Sequence, residues 1–92
     1  MKRAHVFYSG QVQGVGFRYT AQDIAEAFGI SGWVKNLRDG RVEIVAEGEE
    51  KKVKELLDKI VNGPIGYYIR DVDISWEKPS GEFVNFDIRF DI

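Results

Sequence analysis

The sequence predicts an α+β fold, a two-layer sandwich with two helices on one face of a mostly antiparallel sheet. Three observations lead there. Short runs with apolar residues at every second position read as strands, two longer runs with a helical period read as amphipathic helices, and the order is β-α-β-β-α-β-β.

Each element has its own local reason. Ala4, Val6 and Tyr8 alternate with Arg3, His5 and Phe7, which suits a first strand. A glycine-rich turn follows, and then Phe17, Ala21, Ile24, Ala25 and Phe28 recur at helical spacing up to Gly29, a natural C-terminal stop. Ile30 to Asn36, with Trp33 and Val34, reads as a second strand. Leu37-Arg38-Asp39-Gly40 is a tight turn signalled by Asp-Gly. Val42, Ile44 and Ala46 alternate with Arg41, Glu43, Val45 and Glu47 in a third strand. The second helix carries Val53, Leu56, Leu57, Ile60 and Val61 on one stripe and charged residues elsewhere, and Asn62-Gly63-Pro64 ends it. Val72, Ile74 and Trp76 mark a fourth strand. The Pro79-Ser80-Gly81 turn leads to a fifth, with Phe86, Ile88 and Phe90.

The order βαββαβ with an additional C-terminal strand is that of a ferredoxin-like sandwich. A right-handed β-α-β crossover makes the first two strands parallel, so their C-terminal ends share one end of the sheet. The glycine turn leaves the first strand there, and Asn36 ends the second. Residues 18 positions apart in sequence, Arg18 and Asn36, are thereby expected to face one another across a small cleft.

Composition narrows the function. The 92 residues make one domain, 1–92, with 43% hydrophobic residues, enough for a packed interior. A formal net charge of −2 argues against a general nucleic-acid binder, which needs a basic excess. There is no cysteine, hence no disulfide, thiol nucleophile or thiolate metal site. No run approaches the ~20 apolar residues of a membrane span, and the N-terminus shows no signal-peptide stretch. The expectation is a cytoplasmic monomer with no nucleic-acid or membrane partner.

Residues 10 to 18, Gly-Gln-Val-Gln-Gly-Val-Gly-Phe-Arg, are the most informative stretch. A glycine-rich turn opening into a helix gathers backbone N–H groups next to the positive end of the helix dipole. Gly14 and Gly16 let the main chain approach a ligand closely. Arg18 adds a permanently charged fork of donors. The backbone of Gln13, Gly14, Val15, Gly16, Phe17 and Arg18 is thus the candidate cradle for a tetrahedral oxyanion, a phosphoryl group in particular. Phosphoryl transfer then needs a placed nucleophile. Asn36 can orient a water, but its amide is too weak a base to take the proton alone.

The shortage of acids and bases constrains the substrate. The one histidine, His5, falls inside the first strand, away from its C-terminal end. A phosphate monoester leaves as an alkoxide that usually needs a general acid or a metal. An acyl phosphate leaves as a carboxylate, stable unprotonated at neutral pH. An arginine, an amide and a backbone cradle are adequate for the mixed anhydride and poorly equipped for the ester.

At these residues the chain closely resembles the acylphosphatase family. One signature reads Gly10-x-Val12-Gln13-Gly14-Val15-x-Phe17-Arg18. A second reads Gly32-Trp33-Val34-Lys35-Asn36, three residues, Gly40-x-Val42, five residues, Gly48. The ending Phe86-Asp87-Ile88-Arg89-Phe90 is similar to the family's last strand. The resemblance implies hydrolysis of a small-molecule acyl phosphate to a carboxylate and inorganic phosphate, without metal or organic cofactor. It gives phosphate binding to Arg18 and water orientation to Asn36 as catalytic residues. The chain departs from the family in Asp91-Ile92 beyond the aromatic end and in Leu37, where many relatives carry a small hydroxyl residue.

Other readings compete. Arg18 alone is compatible with a surface ion pair, and Asn36 with a strand-end turn. The same cradle on a module without turnover would hold phosphate only, and such a module needs no water-orienting amide at Asn36. An RNA-reading sheet would use exposed aromatics, whereas Trp33, Trp76, Phe28, Phe86 and Phe90 read as core or sheet-face residues. His5 reads as a strand residue without a ligand role, and Tyr67-Tyr68 as anchors of the loop after the second helix.

Overall fold

The computed structural model describes residues 1–90. It contains β1 (Lys2–Gly10), α1 (Phe17–Ala27), β2 (Ser31–Asn36), β3 (Val42–Gly48), α2 (Glu50–Asn62), a short 3-10 turn (Pro64–Tyr68), β4 (Ile69–Glu77) and β5 (Phe86–Arg89). The strands form one sheet in the order β4-β1-β3-β2-β5. β1 pairs antiparallel with β3 and β4, and β2 antiparallel with β3, while β5 joins β2 in parallel. This is the ferredoxin-like α+β arrangement with the added fifth strand.

The sheet's inner face follows from the period-two pattern. Ala4, Val6 and Tyr8 of β1, Val34 of β2, and Val42, Ile44 and Ala46 of β3 have no solvent exposure. Against them α1 buries Phe17, Ala21 and Ala25, and α2 buries Val53, Leu56, Leu57 and Ile60. The small side chains of Ala21 and Ala25 bring α1 close to the strands. Each large aliphatic side chain buried in this layer contributes about 1.5–3 kcal/mol. Glu50 in the first turn of α2 and Lys59 in the last complement its dipole.

Several details differ from the sequence reading. Val61, on the apolar stripe of α2, is 40% exposed, beside a recess it shares with Val72, Ile74 and Trp76 of β4. Phe90 falls after β5 and is 71% exposed. Trp33 is a sheet-face residue, as expected, and on the open face it lies between Lys35 and Arg89, whose charges sit 5.1 and 5.2 Å from its ring centroid. The rings of Tyr67 and Tyr68 are exposed, and it is the Tyr68 carbonyl that anchors, accepting from the Gln11 N–H at 3.0 Å. His5 is held between two carboxylates, with Nδ1 3.1 Å from Glu77 and Nε2 against Glu43. Asp91-Ile92 lie outside the described residues.

The topology also sets where chemistry can occur. β1 and β2 both run antiparallel to β3, so they are parallel to each other and end at the same edge of the sandwich. There the chain enters α1 from β1 and turns from β2 into β3.

Candidate active site

The segment between β1 and α1 is shaped by two glycines in the left-handed region, Gly14 (φ 78°) and Gly16 (φ 83°). Gly16 is also the N-cap of α1. A glycine there lacks the side-chain oxygen that would cap the helix, and no side chain caps it. The first turn of α1 contains no acidic residue. The first helical hydrogen bond runs from the Thr20 N–H to the Gly16 carbonyl at 3.0 Å. The N–H groups of Phe17, Arg18 and Tyr19 precede it and have no acceptor within the helix, the ordinary condition of a helix N-terminus.

A side chain fastens this turn opposite β2. Gln13 Nε2 donates to the Leu37 carbonyl at 2.7 Å and to the Arg41 carbonyl at 2.9 Å. Both carbonyls belong to the connection between β2 and β3, which is closed by the Leu37 N–H donating to the Arg41 carbonyl at 2.8 Å. Asp39 stiffens the same connection, accepting from the Arg41 N–H at 3.0 Å and from Arg41 Nε at 2.9 Å. Two hydrogen bonds thus tie the glycine turn to the end of β2.

Between them is a hollow of about 210 Å³ lined by Val12, Gly14, Gly16, Phe17, Arg18, Tyr19 and Asn36. Arg18 and Asn36 meet there. Among the described residues Arg18 makes no ion pair. Its guanidinium carbon lies 5.3 Å from the Phe90 ring centroid, a cation–π contact that limits where the fork can swing. Asn36 Oδ1 is buried and accepts no hydrogen bond. An unpaired amide acceptor of this kind costs stability unless a ligand or water pairs with it.

The sequence-derived residues divide into two groups. Gly14, Gly16, Phe17, Arg18 and Asn36 line the hollow. Gln13 and Val15 do not: the Gln13 side chain is committed to the β2–β3 connection, and Val15 packs partly buried against the core. Tyr19, 68% exposed, was not singled out in the sequence and stands at the rim. Its position right after Arg18, in the first helical turn, is the signal that points to it. Phe90 under the guanidinium has no local signal, since it arrives from the far end of the chain. Among the described residues, no three His, Cys, Asp or Glu side chains converge to hold a metal ion.

Comparison with known proteins joins this geometry to a family. The family model described as Acylphosphatase matches residues 4–88. The chain belongs to the acylphosphatase family. It is 51% identical over 88 residues to an acylphosphatase of Roseiflexus sp. (strain RS-1), covering 96% of this chain and 95% of that one. The fold superposes on the crystal structure of acylphosphatase from Bacillus subtilis with a TM-score of 0.88 at 36% identity, over 97% of this chain and 99% of that chain. It is also similar to a part of full-length HypF, solved in a phosphate- and nucleotide-bound form, with a TM-score of 0.83 and 26% identity. That match spans 96% of this chain and 12% of HypF. Acylphosphatases are hydrolases of acid anhydrides, and this chain is an enzyme of that class. Among the described residues no helix is long and apolar enough to cross a membrane.

Proposed function

We propose that the hollow hydrolyses acyl phosphates to a carboxylate and inorganic phosphate. The observation that carries this reading is the meeting of Arg18 and Asn36 in one hollow at an uncapped helix N-terminus. The N–H groups of the cradle and the Arg18 fork hold the oxygens of the phosphoryl group. They neutralise charge that spreads over those oxygens in the transition state, where fixed donors stabilise most. Asn36 accepts a hydrogen bond from a water through its amide oxygen and aims it in line with the bond to the acyl oxygen. The amide serves the water alone, and the phosphoryl oxygens are left to Arg18 and the cradle N–H groups.

In the reaction a bond forms between the water oxygen and phosphorus, and the bond between phosphorus and the acyl oxygen breaks. The electron pair leaves with the carboxylate. The water proton passes to a phosphoryl oxygen of the substrate, so no enzyme base is required. The carboxylate's ordinary pKa of about 4 lets it depart unprotonated at neutral pH. The same parts offer no proton to an alkoxide, which restricts the enzyme to anhydrides. Phosphate held as product uses the same donors as phosphate held in the substrate. We further propose that the enzyme acts as a monomer of this single domain, in the cytoplasm, and needs no metal.

The test is hydrolysis of benzoyl phosphate beside phenyl phosphate, in water enriched in oxygen-18 and with a chelator present. The expected result is cleavage of the anhydride alone, undiminished by the chelator, with the label in phosphate. Label in benzoate, comparable hydrolysis of the ester, or loss of activity to the chelator contradicts the reading.

A further inference from the structure

The glycine segment that forms the cradle is held by little of its own main chain. The Gln11 N–H donates to the Tyr68 carbonyl at 3.0 Å, and the Gly16 carbonyl accepts from Thr20. Between them, among the described residues, residues 12 to 15 make no main-chain hydrogen bond. A Cβ at Gly14 or Gly16 would meet nothing within 4 Å, so packing does not fix the segment at either glycine. It is fixed by Val12, buried in the core, by Val15, partly buried against it, and by the side chain of Gln13 between them.

Among the described residues, Gln13 supplies the only side-chain hydrogen bonds made by residues 11 to 16. Its amide nitrogen faces two carbonyl oxygens, of Leu37 at 2.7 Å and of Arg41 at 2.9 Å. Both N–H bonds are used, and the reverse orientation would set oxygen against oxygen. The Arg41 carbonyl accepts a second bond, from the Leu37 N–H at 2.8 Å. Leu37, the residue after Asn36, is therefore engaged at its carbonyl by Gln13 itself and at its N–H by a carbonyl that Gln13 shares. One amide joins the segment carrying the cradle to the peptide next to Asn36.

We propose that the Gln13 side chain is a positioning residue for the hydrolysis, setting the separation between the phosphoryl cradle and Asn36. The inference rests on the proposed function of the hollow, in which Asn36 aims the water. Gln13 touches neither water nor substrate and acts through the two carbonyls. In-line attack tolerates little misplacement, since a shift of about 1 Å can cost about 10² in rate. Asn36 Oδ1 is buried without a partner, so no hydrogen bond of its own keeps it in register with the cradle. The backbone that carries Asn36 has to hold that register, and Gln13 is what ties this backbone to the cradle.

The test is a double-mutant cycle on kcat for benzoyl phosphate, using Gln13→Met, Asn36→Ala and the two together, with phosphate inhibition and thermal melting of each. Met has nearly the length and volume of Gln and no donor. Gln13→Met is expected to lower kcat about ten- to a hundredfold. It is expected to change the inhibition constant for inorganic phosphate less than about threefold, because Arg18 and the N–H groups of the first turn keep their places on α1. In the Asn36→Ala background the same substitution is expected to lower kcat less than about twofold, as the group it places is absent. Gln13→Glu keeps the shape, has no donor at neutral pH and regains one O–H donor in acid. Its kcat relative to the parent's is expected to match that of Gln13→Met at about pH 7 and to rise towards about pH 5. A loss of equal size with and without Asn36, phosphate inhibition weakened as much as kcat, or a Gln13→Glu ratio unmoved by pH overturns the inference. So does a loss accounted for by the unfolded fraction, since Gln13 is then needed only for the fold. Full turnover in Asn36→Ala overturns the reading of the hollow and this inference with it. Lost turnover in Asn36→Ala with an independent loss from Gln13→Met overturns this inference alone.

Discussion

Two places at opposite ends of the sheet gather main-chain N–H groups beside an arginine, and they differ in whether the chain itself supplies an acid to meet them. At the far end of β3, the Glu47 carboxylate is 1% exposed. It accepts from the Ser80 N–H at 2.8 Å, the Ser80 hydroxyl at 3.0 Å and the Gly81 N–H at 3.0 Å. Arg3 Nε lies 3.2 Å away as an ion pair, without the alignment of a hydrogen bond. At the start of α1 the same kinds of donor recur, main-chain N–H groups beside a glycine and one arginine. There the chain offers no acid in the first turn, no cap and no ion pair for Arg18 among the described residues. One nest is closed by the protein's own carboxylate and holds the segment after β4 onto the sheet. The other is left open, and its donors are available to a ligand. Similar physical chemistry serves stability in one place and, on the proposed reading, function in the other.

That contrast can be broken by emptying each nest of its arginine or its acid. Arg18→Ala is expected to reduce kcat/KM for benzoyl phosphate about 10²–10³-fold, while chemical denaturation shows stability within about 0.5 kcal/mol of the parent. A stability loss as large as a buried pair's would mean that Arg18 is structural. Glu47→Gln is expected to do the reverse, lowering stability by about 3 kcal/mol with kcat/KM within about twofold while the protein stays folded. Burial raises the Glu47 pKa, but the Ser80 and Gly81 N–H groups, the Ser80 hydroxyl and Arg3 outweigh it and hold the carboxyl below its ordinary 4.5. Its stabilisation is therefore complete above about pH 4.5 and is lost as pH falls through the lower folded-state value. Acid titration of the Gln variant should show a correspondingly shallower loss.

Smaller effects sharpen the same picture. A Cβ added at Gly16 meets nothing within 4 Å, so Gly16→Ala tests the left-handed backbone alone. It is expected to cost about 1–2 kcal/mol in stability and about tenfold in activity, as the cradle N–H groups turn away from the phosphoryl site. Unchanged activity would show that their direction is immaterial. His5 gives the smallest signal. Burial lowers its pKa, but the hydrogen bonds and charges of Glu43 and Glu77 raise it past the ordinary 6.5. Its stabilisation is complete below about pH 6.5 and fades as pH climbs through the higher folded-state value. Denaturation between pH 6 and 9 should show a slope worth under about 1 kcal/mol that His5→Gln removes.

The sequence carried the open nest more plainly than the closed one. Gly14, Gly16 and Arg18 lie within five consecutive residues, and the helical period beginning at Phe17 places them at a helix start. Asn36 joins them through the β-α-β topology, which alternation of apolar residues is enough to suggest. Glu47 is different. Period two puts it on the outer face of β3, which is correct, but its burial depends on Ser80 and Gly81 folding back from 33 and 34 residues away. The parallel pairing of β5 with β2 and the arrival of Phe90 under Arg18 are likewise long-range events. The two donations from Gln13 that hold the site together join it to carbonyls 24 and 28 residues on. Local periodicity carries no information about such partners.

The central claim divides labour between a group that grips phosphate and a group that aims water. It is tested most directly by measuring inhibition by inorganic phosphate together with turnover in Arg18→Ala and Asn36→Ala. The account predicts that Asn36→Ala loses turnover and keeps the parent's inhibition constant for phosphate, whereas Arg18→Ala loses both. Equal weakening of phosphate inhibition in the two variants, or full turnover in Asn36→Ala, would contradict it.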